Sequence, residues 1–269
     1  MDTISALNDK FSWRRCLSIG LLYKKSLIYY LIGSATITAL CFLLVEFVNY
    51  AGGNALTVYS MTSVLIAASL YFSPIAFVRR DDTLMSLLPV KTSEKFVFYL
   101  LFSLIVAPIV IEGIWYGLNF IFTLINKDWD LTDIVYAQLS SMGSEVIEIL
   151  GEERKCPLKT YQIFMGISQS LAIIVTGLYT VFRASRHRTI KTILSSIAVI
   201  IVISLIAGIT GGVLAATAIT SGVTPEKLTG TIMQMMTPYM ILISVLCIIY
   251  GLFMVWRFYR LLATRQAKN

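Results

Sequence analysis

Six stretches of this chain run for 20 or more residues with almost no charge, and that pattern leaves few folds open. They lie at about 26–49, 55–78, 96–125, 161–182, 192–220 and 237–256. A hydrocarbon core of about 30 Å is crossed by about 20 helical residues, so each run is long enough to span one. An aqueous core could not absorb this much apolar side chain. Of the 269 residues 57% are hydrophobic and 14% charged, whereas soluble domains are about 25% charged. The runs are continuously apolar rather than alternating, which selects helices over the strands of a barrel. The expected fold is therefore all-α: one polytopic membrane domain over residues 1–269, with six transmembrane helices and short interfacial helices. The third and fifth runs are long enough to tilt or to extend past the lipid. Pro108 predicts a kink in the third, because it removes a backbone donor and crowds the preceding turn.

Basic residues orient the spans. The N-terminal flank, the 79–95 and 183–191 loops and the C-terminal tail hold most of the chain's 22 Lys and Arg. The opposite side holds only Lys127, Arg154, Lys155, Lys159 and Lys227. The basic side is expected in the cytoplasm, with both termini. The net charge of +7 then reflects topology and affinity for anionic headgroups, not nucleic-acid binding. The first run is too long for a signal peptide and lacks a small-residue cleavage site, so it reads as a retained span.

The segments between spans differ in character. Residues 8–22 mix Phe11, Trp13, Leu17 and Leu21 with Lys10, Arg14 and Arg15, predicting a helix in the membrane interface. Residues 49–54 form a tight outward turn, making the first two spans a hairpin. The 126–160 loop is acidic, with Asp128, Asp130, Asp133, Glu145, Glu148, Glu152 and Glu153, but matches no calcium-loop spacing and reads as a solvated cap. Thr224 as N-cap, Pro225 at the first helical position and Glu226 in the first turn predict a short outer helix before the last span. Among the four cysteines, Cys16, Cys41, Cys156 and Cys247, no CxxC pair occurs, and they read as structural.

No catalytic motif is present. The chain lacks G-x-x-x-x-G-K-[ST], G-x-S-x-G and H-E-x-x-H, and its one histidine, His187, lies between two arginines in a loop. No catalytic, cofactor or metal residue is assigned. Two carboxylates fall within spans. Glu46 is near the outer end of the first, from which it can reach the interface. Glu112 is near the middle of the third, where an ionisable group costs at least about 2.5 kcal/mol and must face a polar cavity or a partner. It could serve a substrate or proton route, or bond to a neighbouring helix. Gly208 and Gly212 form G-x-x-x-G, a spacing that permits close helix packing or dimerisation.

The remaining feature is the charged, proline-broken segment 79–96, RRDDTLMSLLPVKTSEKF, which lies between two apolar runs on the basic side. Leu84, Met85, Leu87 and Leu88 give a short helix an apolar face. Pro89 ends it, and Ser93 can cap the next helix with Glu94 in its first turn. The stretch Leu87-Leu88-Pro89-Val90-Lys91-Thr92-Ser93-Glu94-Lys95-Phe96 resembles the LPxSxxEKF element that precedes the third span in ABC-2 type permeases, the membrane subunits of bacterial ABC transporters. Pro89, Glu94, Lys95 and Phe96 match, and Thr92-Ser93 fills the polar stretch. Six spans with both ends inside agree with that family.

The resemblance implies a bacterial inner-membrane permease that exports a lipophilic or amphipathic substrate. Arg79, Arg80, Asp81, Asp82, Leu84, Met85, Leu87 and Leu88 would form the coupling helix. It would dock on a separately encoded ATPase subunit that binds the ATP. Two permeases, identical or different, would complete the transporter among membrane lipids. The competing reading is a six-span scaffold or sensor, or an ion-coupled carrier, with no ATPase. A carrier would ordinarily show more intramembrane charge and paired broken helices.

Overall fold

A computed structural model of the chain describes residues 11–51, 55–78, 90–125, 158–220 and 225–266. Every regular element among them is helical. In chain order they are α1 (Trp13–Tyr50), α2 (Ala55–Tyr71), a 3-10 turn (Ser73–Phe77), α3 (Thr92–Leu101), a π turn (Phe102–Val106), α4 (Ala107–Ile125), α5 (Leu158–Arg183), α6 (Arg188–Thr220) and α7 (Pro225–Gln266). Five helical stretches are long and apolar enough to cross a membrane: Trp13–Val48, Thr92–Ile125, Phe164–Arg183, Arg188–Leu214 and Pro238–Thr264.

The expected second span is divided. α2 has 17 residues, and the chain then tightens into the 3-10 turn at Ser73-Pro74. Pro74 has no amide hydrogen to continue the ladder, and it stands at the start of that turn. α2 nevertheless returns along α1. The Tyr30 hydroxyl donates to the Ser69 carbonyl at 2.7 Å, and the Tyr23 and Phe77 rings meet edge-on at 5.5 Å. Phe77 is thus level with the early turns of α1.

Two short interfacial helices expected from the sequence are absorbed into spans. The first turns of α1 run without a break from Trp13 into the apolar run, so the expected interfacial helix over 8–22 is, from Trp13, the extension of a 38-residue helix. At 1.5 Å per residue that is about 57 Å, well beyond a hydrocarbon core of about 30 Å. Its basic end carries Trp13, Leu17 and Leu21 outward while Cys16, Ile19 and Tyr23 are buried. The outer helix at Pro225 likewise continues through Pro238 into a single helix of 42 residues. Pro108 takes a third course. It follows the π turn, in which the Ala107 amide reaches back to the Phe102 carbonyl, so the helix widens where the proline ring would clash.

The core gathers at the end of the bundle where α1 and α3 begin. Tyr99 is its centre, with no exposed surface. Its ring lies 4.8 Å from Phe77, 4.6 Å from Phe182 of α5, 6.1 Å from Tyr23 and 6.2 Å from Phe258 of α7. Edge-on and tilted aromatic pairs at these separations add to the value of burial itself.

Close helix approach is made at glycines other than those expected. A Cβ at Gly208 or Gly212 would meet nothing within 4 Å, so no close packing is made there among the described residues. Gly177 and Gly251 are the tightest positions among the described residues. A Cβ on Gly177 of α5 would stand 2.9 Å from Pro74 Cγ, and one on Gly251 of α7 would stand 3.0 Å from Leu171 Cγ. Gly177→Val is expected to destabilise the fold by about 1–3 kcal/mol, because the 3-10 turn must move away. A thermal melt in detergent checks this, with Gly208→Val, which has open space, as the unaffected control.

Candidate functional site

The segment of closest sequence interest, Val90 to Phe96, is pinned from both ends of the chain. α3 starts at Thr92 with Lys91 as its N-cap, so Ser93 is inside the helix and does not cap it. Glu94 stands at the third helical position and accepts the Lys91 amide at 3.0 Å. This is the carboxylate half of a capping box.

The same carboxylate reaches across to α1. Glu94 Oε1 accepts the Ser12 amide at 2.8 Å, Arg15 Nε at 3.0 Å and Arg15 Nη2 at 2.8 Å, and Oε2 also lies 3.2 Å from Arg15 Nε. Glu94 is fully buried, and its ion pair with Arg15 is the one found among the described residues. Burying a charged carboxylate is costly unless its oxygens are hydrogen-bonded, and here two backbone amides and a forked guanidinium bond them. The thiol of Cys16 adds a contact at 3.5 Å to the Glu94 carbonyl.

Two residues later Phe96 turns to the other end of the chain. Its ring lies 5.8 Å from Phe258 and 5.3 Å from Tyr259 of α7. Val90 is buried in the same core. Glu94 therefore fixes the segment to α1 and Phe96 fixes it to α7. Within this arrangement Arg15 and Glu94 saturate each other, and the Cys16 thiol is buried against the Glu94 carbonyl. What it can do is transmit position: a displacement of the chain just before Val90 is passed to the starts of α1 and α3 and the end of α7.

Arg79, Arg80, Asp81, Asp82, Leu84, Met85, Leu87 and Leu88, the expected docking residues, lie outside the described residues, as do the acidic loop from 126 to 157 and the Thr224 cap. Glu46 departs from expectation. It does not reach an interface but is buried at 5% exposure, with neither carboxyl oxygen hydrogen-bonded among the described residues. The cause is its register on α1, one turn beyond Phe42, whose ring packs at 5.0 Å on Trp115 and turns that face inward. Glu112 is the reverse: it is exposed on the apolar surface of α4, beside Gly113 and Gly117.

Sequence reasoning treated Arg15 as part of a basic flank and Glu94 as a helix-start residue. Each of these is correct locally, but neither indicates their pairing. The only local hint was that Glu94 is the acidic residue nearest the start of the third apolar run on a side otherwise rich in cations.

Together the apolar helices and the polar joint at their basic end define a polytopic α-helical membrane protein. Comparison with protein-family models, curated proteins and solved structures found no match.

Proposed function

We propose that the chain is the membrane subunit of an ATP-driven exporter of the ABC-2 permease type, moving a lipophilic or amphipathic substrate. A separate nucleotide-binding subunit docks on residues 79–88 and hydrolyses the ATP. The observation that carries this reading is the anchoring of Glu94 on Arg15 and of Phe96 on Phe258. The residues that carry the LPxSxxEKF resemblance are the same ones that couple the preceding segment to both ends of the bundle. A docking helix is useful only if its movement reaches the spans, and this joint supplies the connection.

Six crossings follow if α2 and the 3-10 turn cross the bilayer together. The Tyr23–Phe77 contact supports this, because it returns the chain to the end where α1 began. The basic end then faces the cytoplasm of a bacterial cell and holds both termini. Glu112 supports a paired assembly. A carboxyl on a lipid-facing helix is costly, and a second permease packed on Gly113 and Gly117 would cover it. Catalysis belongs to the ATPase, and the permease needs no cofactor of its own.

A second reading, an ion-coupled carrier, is favoured by the buried, unpartnered carboxyl of Glu46. The two are separated by paired variants. Leu87→Asp with Leu88→Asp is expected to abolish co-purification of the ATPase, while Glu46→Gln leaves it intact. Loss of transport with Glu46→Gln alone, and none with the double Asp variant, would favour the carrier.

A further inference from the structure

Three helices leave a cavity among the described residues. It has a volume of about 340 Å³ and lies among Ala172 of α5, Ala198 and Val202 of α6, and Ile243, Cys247 and Tyr250 of α7. Its lining is almost wholly apolar. Val202 is exposed, so the cavity opens on the surface of the bundle that lipid would contact. Apolar cavities do not recruit water, and the available occupant at this depth is hydrocarbon.

Toward the basic end, the walls of the cavity become cationic along the same helix stripes. On α5, Ala172 is followed at helical spacing by Thr176, Tyr179 and Arg183; on α7, Tyr250 is followed by Phe253 and Arg257. The stripes meet twice. Thr176 Oγ1 and the Tyr250 hydroxyl share a hydrogen bond at 3.1 Å. One turn on, Tyr179 receives Arg183 Nη1 at 3.1 Å and Arg257 Nη2 at 3.2 Å on its phenolic oxygen. Both guanidinium groups also lie over the Tyr179 ring, at 5.6 and 5.7 Å. Exposed Trp256, with Arg260 over its ring at 4.9 Å, marks this level as the headgroup zone.

Two like charges converging on one phenol make a favourable place for an anion. The carboxylates whose side chains are described are Glu46, Glu94 and Glu112, and none of them is paired with these arginines, since Arg15–Glu94 is the ion pair found among the described residues. The phenol points the same way. Its oxygen can accept two hydrogen bonds, both taken by arginine, which leaves its own proton to be donated to an acceptor outside the trio. Planar guanidinium groups suit phosphate oxygens.

We propose that α5, α6 and α7 hold one anionic phospholipid of the leaflet at the basic end, its phosphate on Arg183, Arg257 and Tyr179 and an acyl chain in the cavity. This does not depend on an ATPase partner. The site would bias the spans toward membranes rich in anionic lipid.

The test is native mass spectrometry of the purified full chain, titrated with palmitoyl-oleoyl phosphatidylglycerol, with the phosphatidylcholine of the same chains, or with inorganic phosphate. The glycerol lipid is expected to bind at least about tenfold more tightly than the choline lipid. Arg183→Gln with Arg257→Gln should erase that preference, Tyr179→Phe should weaken it several-fold, and Arg183→Lys with Arg257→Lys should retain most of it. Val202→Trp, which fills the cavity, should weaken both lipids. Equal binding of the two lipids, or an unchanged preference in the Gln pair, overturns the proposal. Displacement by inorganic phosphate with no effect of Val202→Trp would identify a free-phosphate site and also overturn it. The Lys pair and Tyr179→Phe keep the result readable if the Gln pair fails to fold.

Discussion

Glu94→Ala is expected to lower the melting midpoint of the purified protein by about 10 °C. Removing one partner of a buried, hydrogen-bonded ion pair costs about 3–5 kcal/mol, and a chain of this size loses roughly 2–4 °C per kcal/mol. The loss has three sources. Arg15 forfeits a forked, charge-assisted pair, while the Ser12 and Lys91 amides each lose their acceptor. Glu94→Gln should be nearly as damaging, because the amide nitrogen it introduces faces donors. Arg15→Ala should cost at least as much as Glu94→Ala. It strands a carboxylate with no exposed surface, whereas Arg15, a quarter exposed, can turn toward water once Glu94 is gone. A double-mutant cycle in which the double variant is no worse than the worse single one is the expected signature of coupling. Additive losses would mean that the contact contributes nothing beyond its separate parts.

Tyr99→Ala is the second large effect, about 3–5 kcal/mol, the usual cost of deleting a buried aromatic ring. Tyr99 contacts rings from α1, the 3-10 turn, α5 and α7, so its loss opens a void where these elements meet. Tyr99→Phe keeps the ring and separates packing from the hydroxyl; most of the stability should return with it. Scanning fluorimetry on the cysteine thiols provides a second readout, since buried Cys16 lies in the same core and should react with a maleimide dye at lower temperature in Tyr99→Ala. An unchanged dye onset would show that the elements hold together without this ring.

The apolar runs made the all-helical membrane fold legible, because lipid-facing helices must be apolar along their whole length. Their ends were less legible. Three prolines inside apolar runs meet three different fates: Pro74 opens a 3-10 turn, Pro108 follows a π turn and Pro238 sits inside a continuous helix. The difference lies in tertiary contacts. Pro74 presses on Gly177, about a hundred positions away in sequence, and no local pattern announces that contact. The joint at Glu94 was hidden for the same reason, since its partner Arg15 is 79 residues distant. Arg15, Lys91, Arg183 and Arg257, which the charge bias assigns to one side, lie beside core residues at the end of the bundle around Tyr99. Glycine spacing by itself did not place a neighbour among the described residues. A G-x-x-x-G pair states that close approach is permitted, not that a neighbour is there, and Gly208 and Gly212 face open space.

The most direct test of the central claim is isolation of the tagged full chain from its native membranes, with the ATP hydrolysis of the isolated complex measured beside its composition. The predicted result is a P-loop ATPase in equimolar amount and ATP turnover that vanadate blocks. Leu87→Asp with Leu88→Asp should lose both, and Gly208→Val should lose neither. A chain that isolates without an ATP-binding protein, and whose double Asp variant is indistinguishable from it, would contradict the claim.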